Sequence, residues 1–340
     1  MKIHITSLHG QPIDSIGQKA QNAVADIAKK TLDCNELGIF WYNVNHDSRQ
    51  MLLARLDGIL ASVSYGDIVI FQYPTWNDIS FDEAFIGRLN NYIGLKKVFL
   101  IHDLSPLMDV EKRPLLPRHI ALCNQADLII LPSQCMADFL RSEGLTVEKI
   151  VILGMFDFIV DIDKSISPIY KKTINFAGNP DSPKFDFVKK WNYENVELAI
   201  TARDGGWAQK KNISFLGWFR NDNLLVNALR RNGGFGIVWS DDPYWREYMR
   251  LNANYKLSAY LSAGIPVIVN SGLAEKNTIV RKNLGLVVDS LDEAIDRVDK
   301  MEEEQYRKMV HDVELFSNLL RQGYFIKKAL VESVFQLLYE

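Results

Sequence analysis

Strand-like apolar runs alternate with helix-periodic runs twice along this chain, and one break separates the two series. Lys2 to Thr6, Leu37 to Trp41, Asp67 to Phe71, Lys97 to Ile101, Leu128 to Leu131 and Lys149 to Leu153 read as strands. Between them, Ser15 to Leu32, Ser48 to Val63, Phe81 to Tyr92, Arg113 to Gln125 and Gln134 to Glu143 carry helical spacing. Such alternation makes parallel strands joined by crossover helices, hence a doubly wound α/β sheet. A second series has strands at Thr173 to Phe176, Glu197 to Ile200, Ile213 to Leu216, Phe235 to Val238, Pro266 to Val269 and Gly285 to Val288. Its helices are expected at Phe185 to Trp191, Asn223 to Arg231, Asn254 to Ala263 and Leu291 to Met301.

The stretch from Phe156 to Lys172 breaks the rhythm with Asp157, Asp161, Asp163, Ser165, Ser167 and Pro168, and reads as a linker. The expected organisation is a Rossmann-like domain over 1–155, a linker over 156–172, a second such domain over 173–320 and a terminal helix over 321–340. The stripe Ile326, Leu330, Val334 and Leu337 would let that last helix cross back to the first domain. A length of 340 residues agrees, since single cores stop growing beyond about 250–300 residues. Two such domains facing a central cleft would turn the strand C-termini of both sheets toward it, where open α/β sheets bind ligands.

The segment Asn254 to Val269 carries the strongest chemistry. Asn254 suits an N-cap, and Leu257, Tyr260 and Leu261 fall on one face. Gly264 and Pro266 end the helix, and Val267, Ile268 and Val269 form a buried strand. Lys256 therefore lies in the first turn of a helix with open N–H groups, an arrangement that suits a diphosphate. An ordinary αβ unit with a solvated lysine has the same pattern.

Other loops follow strands and invite the same question. Gly10-Gln11, running to Asp14 and Ser15, permits close approach of phosphate or sugar, or is a plain turn. Gly178-Asn179-Pro180 with Lys184 mirrors it in the second series and would carry a cation to the cleft, or is a turn followed by a surface lysine, the reading this motif alone favours. Gln72-Tyr73-Pro74-Thr75-Trp76-Asn77 offers an aromatic platform flanked by amides for a sugar ring, or Trp76 is core. His102-Asp103 would serve as a base or as a structural pair. Asp161-Ile162-Asp163 has the D-x-D pattern of metal-dependent sugar transfer, but its place in the linker argues against a metal. Asp241 and Asp242 either line a donor pocket or sit in a solvated loop.

Several classes are disfavoured. No G-x-G-x-x-G follows the first strand, and neither a P-loop nor a G-x-S-x-G elbow is present. No Cys/His cluster has metal-ligand spacing. A net charge of −3 gives no general basic surface for nucleic acid. The three cysteines, Cys34, Cys123 and Cys135, have apolar neighbours and suggest buried thiols in a reducing cytosol. The N-terminus lacks an apolar h-region and no apolar run is long enough for a bilayer, so the expected location is the cytoplasm, with no transmembrane segment.

Taken together, the chain resembles GT-B glycosyltransferases, and more narrowly the accessory glucosyltransferases that extend the glycan on bacterial serine-rich repeat adhesins. The resemblance runs nearly end to end. It is carried by Ile5-Thr6 with Gly10-Gln11, Phe71-Gln72 with Pro74 to Asn77, and Ile101-His102-Asp103 with Pro106-Leu107-Met108. Pro132-Ser133-Gln134, Gly178-Asn179-Pro180, Gly233 to Gly236, Tyr255-Lys256-Leu257, Ala263 to Val269 and Glu332 to Gln336 continue it.

The resemblance implies a UDP-sugar donor (glucose or N-acetylglucosamine) and neither metal nor other cofactor. It implies retention of configuration, an acceptor N-acetylglucosamine (GlcNAc) on Ser or Thr of the adhesin, and a homo-oligomer, often a tetramer. By position it implies that Asn254, Tyr255, Lys256, Leu257, Ser258 and Ala259, with Asn179 and Lys184, hold the UDP. Gly10, Gln11 and Ile16 would approach the donor from the first domain, and Thr201 with Phe219 and Arg220 would frame the base. Trp76 and Asn77 are the acceptor candidates; Lys256, His102 and Asp103 are the catalytic ones. In the mechanism this implies, Lys256 and helix N–H groups stabilise departing UDP, and a UDP oxygen takes the acceptor's proton. One departure concerns a glutamate that many retaining members carry at the start of the helix after the Gly-Ile-Pro strand: Asn277 aligns with it, and Glu275 lies two residues before. The competing class is a non-catalytic GT-B subunit that binds glycan or stabilises a partner transferase, which the Lys184/Lys256 pair disfavours.

Overall fold

The computed structural model describes residues 1–203 and 212–339, in two compact units. One comprises Met1–Leu153 together with Phe325–Glu340, the other Gly154–Tyr324.

The first unit is a six-stranded sheet of β1 (Ile3–His9), β2 (Asn35–Phe40), β3 (Ile68–Tyr73), β4 (Lys96–Ile101), β5 (Leu128–Leu131) and β6 (Ile150–Ile152). All pairs are parallel and the order is β2-β1-β3-β4-β5-β6. Central strands β3 and β5 are buried at every residue, as their apolar runs require when helices cover both faces. The helix Tyr324–Leu338 buries Ile326, Ala329, Leu330 and Ser333, and Lys149 Nζ donates to the Gln336 carbonyl. The tail is thereby fastened to the unit that begins the chain.

The second unit repeats the plan with β7 (Thr173–Phe176), β8 (Glu197–Ile200), β9 (Ile213–Phe215), β10 (Phe235–Val238), β11 (Val267–Asn270) and β12 (Gly285–Val288). Its order is β12-β11-β10-β7-β8-β9, again parallel. Direction along the sheet reverses between β7 and β10, so the loops leaving their C-termini flank the switch-point crevice.

The stretch 156–172, expected as a linker, packs within the second unit. Phe158 and Val160 are buried, and Arg230 Nε donates to the carbonyls of Asp163 and Ile166 at 3.2 and 2.6 Å. Helices Pro243–Leu251, Lys276–Arg281 and Glu303–Arg321 lie outside the periodic segments singled out above, and Phe185 to Trp191 gives way to a 3-10 turn at Pro183–Val188. Among the described residues, no helix is long and apolar enough to cross a membrane. Cys34 and Cys123 are buried, and Cys135 is half-buried.

Candidate active site

The helix Tyr255–Ser262 is built as its residues dictate. Leu257, Tyr260 and Leu261 are fully buried, and the Asn254 carboxamide accepts the Lys256 N–H at 3.0 Å. Gly264 adopts φ +82°, the left-handed turn that releases the chain into β11. Tyr260 crosses beneath β10 because Gly236 leaves the room; a Cβ there would collide with its ring. Its hydroxyl accepts the Ala177 N–H at 2.7 Å, which fixes the loop after β7 against the helix. In that loop, a Cβ on Gly178 would lie 2.7 Å from the Phe176 ring and 3.2 Å from Lys256 Cε. The Lys256 side chain therefore runs along a stretch of bare backbone.

Two cations converge here on aromatic faces. Lys256 Nζ lies 4.7 Å from the centre of the Phe185 ring, and Lys184 Nζ lies 3.5 Å from that of Trp245. Ser240 Oγ donates to the Lys184 carbonyl at 2.6 Å, tying the lysine's backbone to the loop after β10. Burial, with repulsion from Lys184, pulls the Lys256 ammonium down to about 8. Glu275 adds an acid to the same helix end. Its Oε1 accepts the Asn254 N–H at 3.3 Å, its Oε2 is buried without a hydrogen-bond partner among the described residues, and burial raises its carboxyl to about 8. The helix start thus carries Lys256, within reach of Lys184's charge, and at Asn254 a carboxyl held largely neutral. Such a site gains from a multiply charged anion and is unfavourable when empty.

The other candidates of this unit divide by burial. Leu257, Ser258 and Ala259 are buried, so only their backbones are offered, while Tyr255 is half-buried with its ring 5.0 Å from that of Phe158. Asn179 is exposed and its side chain accepts the Asp181 N–H at 3.0 Å. Thr201 is buried at the end of β8, its N–H donating to Phe176 O at 3.0 Å. Phe219 is half-buried and Arg220 exposed in the loop between β9 and the helix Asp222–Asn232. Asp241 takes the Trp239 indole N–H at 3.2 Å, and Asp242 caps the helix Pro243–Leu251. Asp163 takes the Ser165 N–H and hydroxyl at 3.0 and 2.6 Å.

In the first unit, Gly10 has φ +84° and rests on the Phe40 ring, which a Cβ would strike. Gln11 N–H donates to Gln18 Oε1 at 2.8 Å, and Ile16 is exposed. Trp76 takes φ +59° and presses its indole nitrogen onto the site of Gly17, where a Cβ would lie 2.7 Å away. Asn77 Oδ1 accepts the Tyr42 N–H at 2.9 Å, and the side-chain Nδ2 is buried without a partner among the described residues. His102 is buried with Nε2 2.8 Å from Gln72 Oε1, while Gln72 Nε2 donates to the carbonyls of Thr6 and Gln21. Burial drives His102 down to about 3, so its ring is neutral at physiological pH. Asp103 is half-buried beside it.

Two residues escape the sequence reading, Trp245 and Trp41, and a third, Glu275, is set aside there. Trp245 supports Lys184; its signal is the Asp242-Pro243 helix start. Glu275 meets Asn254 only through the fold, 21 positions away. Trp41 is exposed, with its indole N–H anchored on Trp76 O at 2.8 Å.

The chain matches two family models, Glucosyltransferase 3-like N-terminal domain over residues 2–155 and Glucosyltransferase 3-like C-terminal domain over 174–333. It is 40% identical to Glucosyltransferase 3 of Streptococcus parasanguinis over 336 residues, covering 99% of both chains. It is 41% identical to Glucosyltransferase 3 of Streptococcus gordonii over 344 residues, covering 99% of this chain and 100% of that one. Among solved structures, Anabaena HepE in complex with UDP-glucose superposes with a TM-score of 0.65 at 12% identity, covering 98% of this chain and 99% of that one. That likeness establishes the fold, which is GT-B.

Proposed function

Because the chain belongs to the Glucosyltransferase 3-like family, we propose that it transfers a hexose, glucose or N-acetylglucosamine, from a UDP-sugar to GlcNAc carried on Ser or Thr of a serine-rich repeat adhesin. The enzyme is a UDP-sugar-dependent glycosyltransferase. The observation that carries the site assignment is the convergence of Lys256 and Lys184 on the helix start at Asn254.

UDP is held there through its phosphates, by the two ammonium groups and the backbone around Gly178. Asn254, Tyr255 and the backbone of Leu257, Ser258 and Ala259 shape that wall, with Asn179 at its rim; Thr201, Phe219 and Arg220 frame the base. As the glycosidic bond to UDP breaks, negative charge grows on the β-phosphate, and Lys256 is placed to stabilise it. These cations meet the charge without a metal. The acceptor hydroxyl attacks from the face the leaving group vacates, and a UDP oxygen takes its proton, so configuration is retained. His102 is too weak a base for that step and orders the end of β4 through Gln72 instead. Trp76, Asn77 and the exposed Trp41 receive the acceptor sugar. The working form is a cytoplasmic homo-oligomer, a tetramer.

The test is turnover of a UDP-sugar panel on a synthetic GlcNAc-O-Ser peptide with a chelator present. Transfer from UDP-glucose or UDP-GlcNAc that survives EDTA, with the product bond in the donor's anomeric configuration, is expected. An enzyme silenced by EDTA and restored by manganese would contradict the metal-free reading.

A further inference from the structure

Strand β2 forms one edge of the first sheet and, among the described residues, pairs only with β1. Trp41 N–H donates to His9 O at 2.7 Å, and the parallel register aligns His4–Asn35 through His9–Phe40. Leu37 and Ile39 therefore turn their backbone groups to β1, while Glu36, Gly38 and Phe40 turn theirs outward. A cavity of about 720 Å³ opens alongside, lined by Gly38, Phe40, Arg55, Gly58, Ala61 and Ser62 among others. Asn35 to Phe40 contains neither lysine nor proline, the usual guards of an edge.

We propose that this groove binds the acceptor's polypeptide, an extended neutral chain bearing Ser and Thr, as a seventh strand on β2. The proposal rests on the reading that the acceptor sugar is protein-borne. Three observations select this occupant. The outward groups recur every second residue, about 6.6 Å apart, a spacing that another extended backbone matches. The groove's charges are already answered: Glu36 accepts from Ser7 and Lys29 at 2.6 Å each, and Arg55 donates to Asp47 at 2.7 and 3.2 Å. A neutral chain fits them better than a charged ligand. The groove's lining also reaches Phe40, packed under Gly10, and Tyr42, on either side of Trp41, whose indole reaches Trp76 O. A peptide lying along β2 would thus deliver its sugar to Trp76 and Asn77.

Gly58 and Ala61 are exposed, and a Cβ at Gly58 meets nothing within 4 Å, so Gly58→Trp and Ala61→Trp fill the groove without disturbing the core. KM is to be compared for a GlcNAc-O-Ser peptide and for methyl GlcNAc, with a melting curve and light scattering for each protein. The wild type should show a KM for the peptide about tenfold below that for the glycoside. Both variants should abolish this advantage while leaving the glycoside KM, UDP affinity, melting temperature and oligomeric state unchanged. A retained advantage, an equal rise for both acceptors, or a change of oligomeric state with peptide KM intact would each overturn the proposal; the last would mean the edge pairs with a second copy. If the wild type uses neither acceptor, the protein-glycan reading fails, and anisotropy of a labelled Ser/Thr-rich peptide decides the groove alone. Binding lost in Gly58→Trp supports it; binding absent or unchanged overturns it.

Discussion

Tyr260 accepts the Ala177 N–H at 2.7 Å, and this one bond joins the helix bearing Lys256 to the loop bearing Gly178. The two halves of the proposed phosphate cradle come from segments 83 positions apart. Gly236 makes the contact sterically feasible, since only a bare backbone admits the tyrosine ring beneath β10.

Tyr260→Phe keeps the ring and removes the acceptor. Stability should fall by about 1–2 kcal/mol, the cost of stranding an N–H in a largely buried site. UDP should bind more weakly because the Gly178 backbone is no longer held. Calorimetric titration with UDP and a denaturant melt measure both; unchanged UDP affinity would separate this bond from the site.

The pH dependence follows from two groups. Lys256 is pulled down to about 8 and is a full cation only below that. Glu275 is pushed up to about 8 and becomes an anion only above it. Both changes oppose UDP as pH rises, so affinity should fall through pH 8. For stability the signs differ. Glu275 binds its proton more tightly folded than unfolded, so its contribution is present below the unfolded value and is lost as pH rises toward 8. Lys256 releases its proton more readily folded, so stability recovers between about 8 and its unfolded value near 10.5. Glu275→Gln should therefore be more stable than wild type at pH 8 and closer to it at pH 5. Melting both proteins at the two pH values tests this, and equal differences would contradict it.

Trp76 and Trp41 should separate on mutation. Trp76 is half-buried against Gly17, so Trp76→Ala should lose roughly 3 kcal/mol of stability as well as acceptor affinity. Trp41 is 40% exposed, so Trp41→Ala should keep its melting temperature and raise the acceptor KM. UDP affinity should stay near normal in both. An unchanged acceptor KM in folded Trp41→Ala would remove that ring from the acceptor side.

The fold is legible in this sequence because parallel strands covered on both faces read as apolar runs, as Ile68 to Phe71 in β3, Leu128 to Leu131 in β5 and Val267 to Val269 in β11 do. Lys256 is legible as well, since the Asn254 cap and the Gly264-Ile265-Pro266 stop are local signals. The helix Glu303–Arg321 is less so: its Glu302/Gln305 capping box is readable, but its buried stripe at Tyr306, Val310, Val313 and Leu320 lies amid many charges. Contacts between distant segments leave no local trace. Glu275 is set aside because Asn277 aligns better with a family glutamate, yet the chain's path brings Glu275 to Asn254. His102 shows the opposite limit. A histidine before an aspartate at a strand end suggests a base, but burial decides its protonation and the Gln72 contact holds its ring.

The central claim is that Lys256 stabilises the departing UDP, and the turnover number of Lys256→Ala tests it most directly. With UDP-glucose and a GlcNAc-O-Ser peptide at saturation, kcat should fall about a hundredfold, the equivalent of roughly 3 kcal/mol of transition-state stabilisation. The melting temperature of the unliganded variant should not fall, because a half-buried ammonium repelled by Lys184 destabilises the empty fold. A correctly folded Lys256→Ala protein with near-normal kcat would contradict the account.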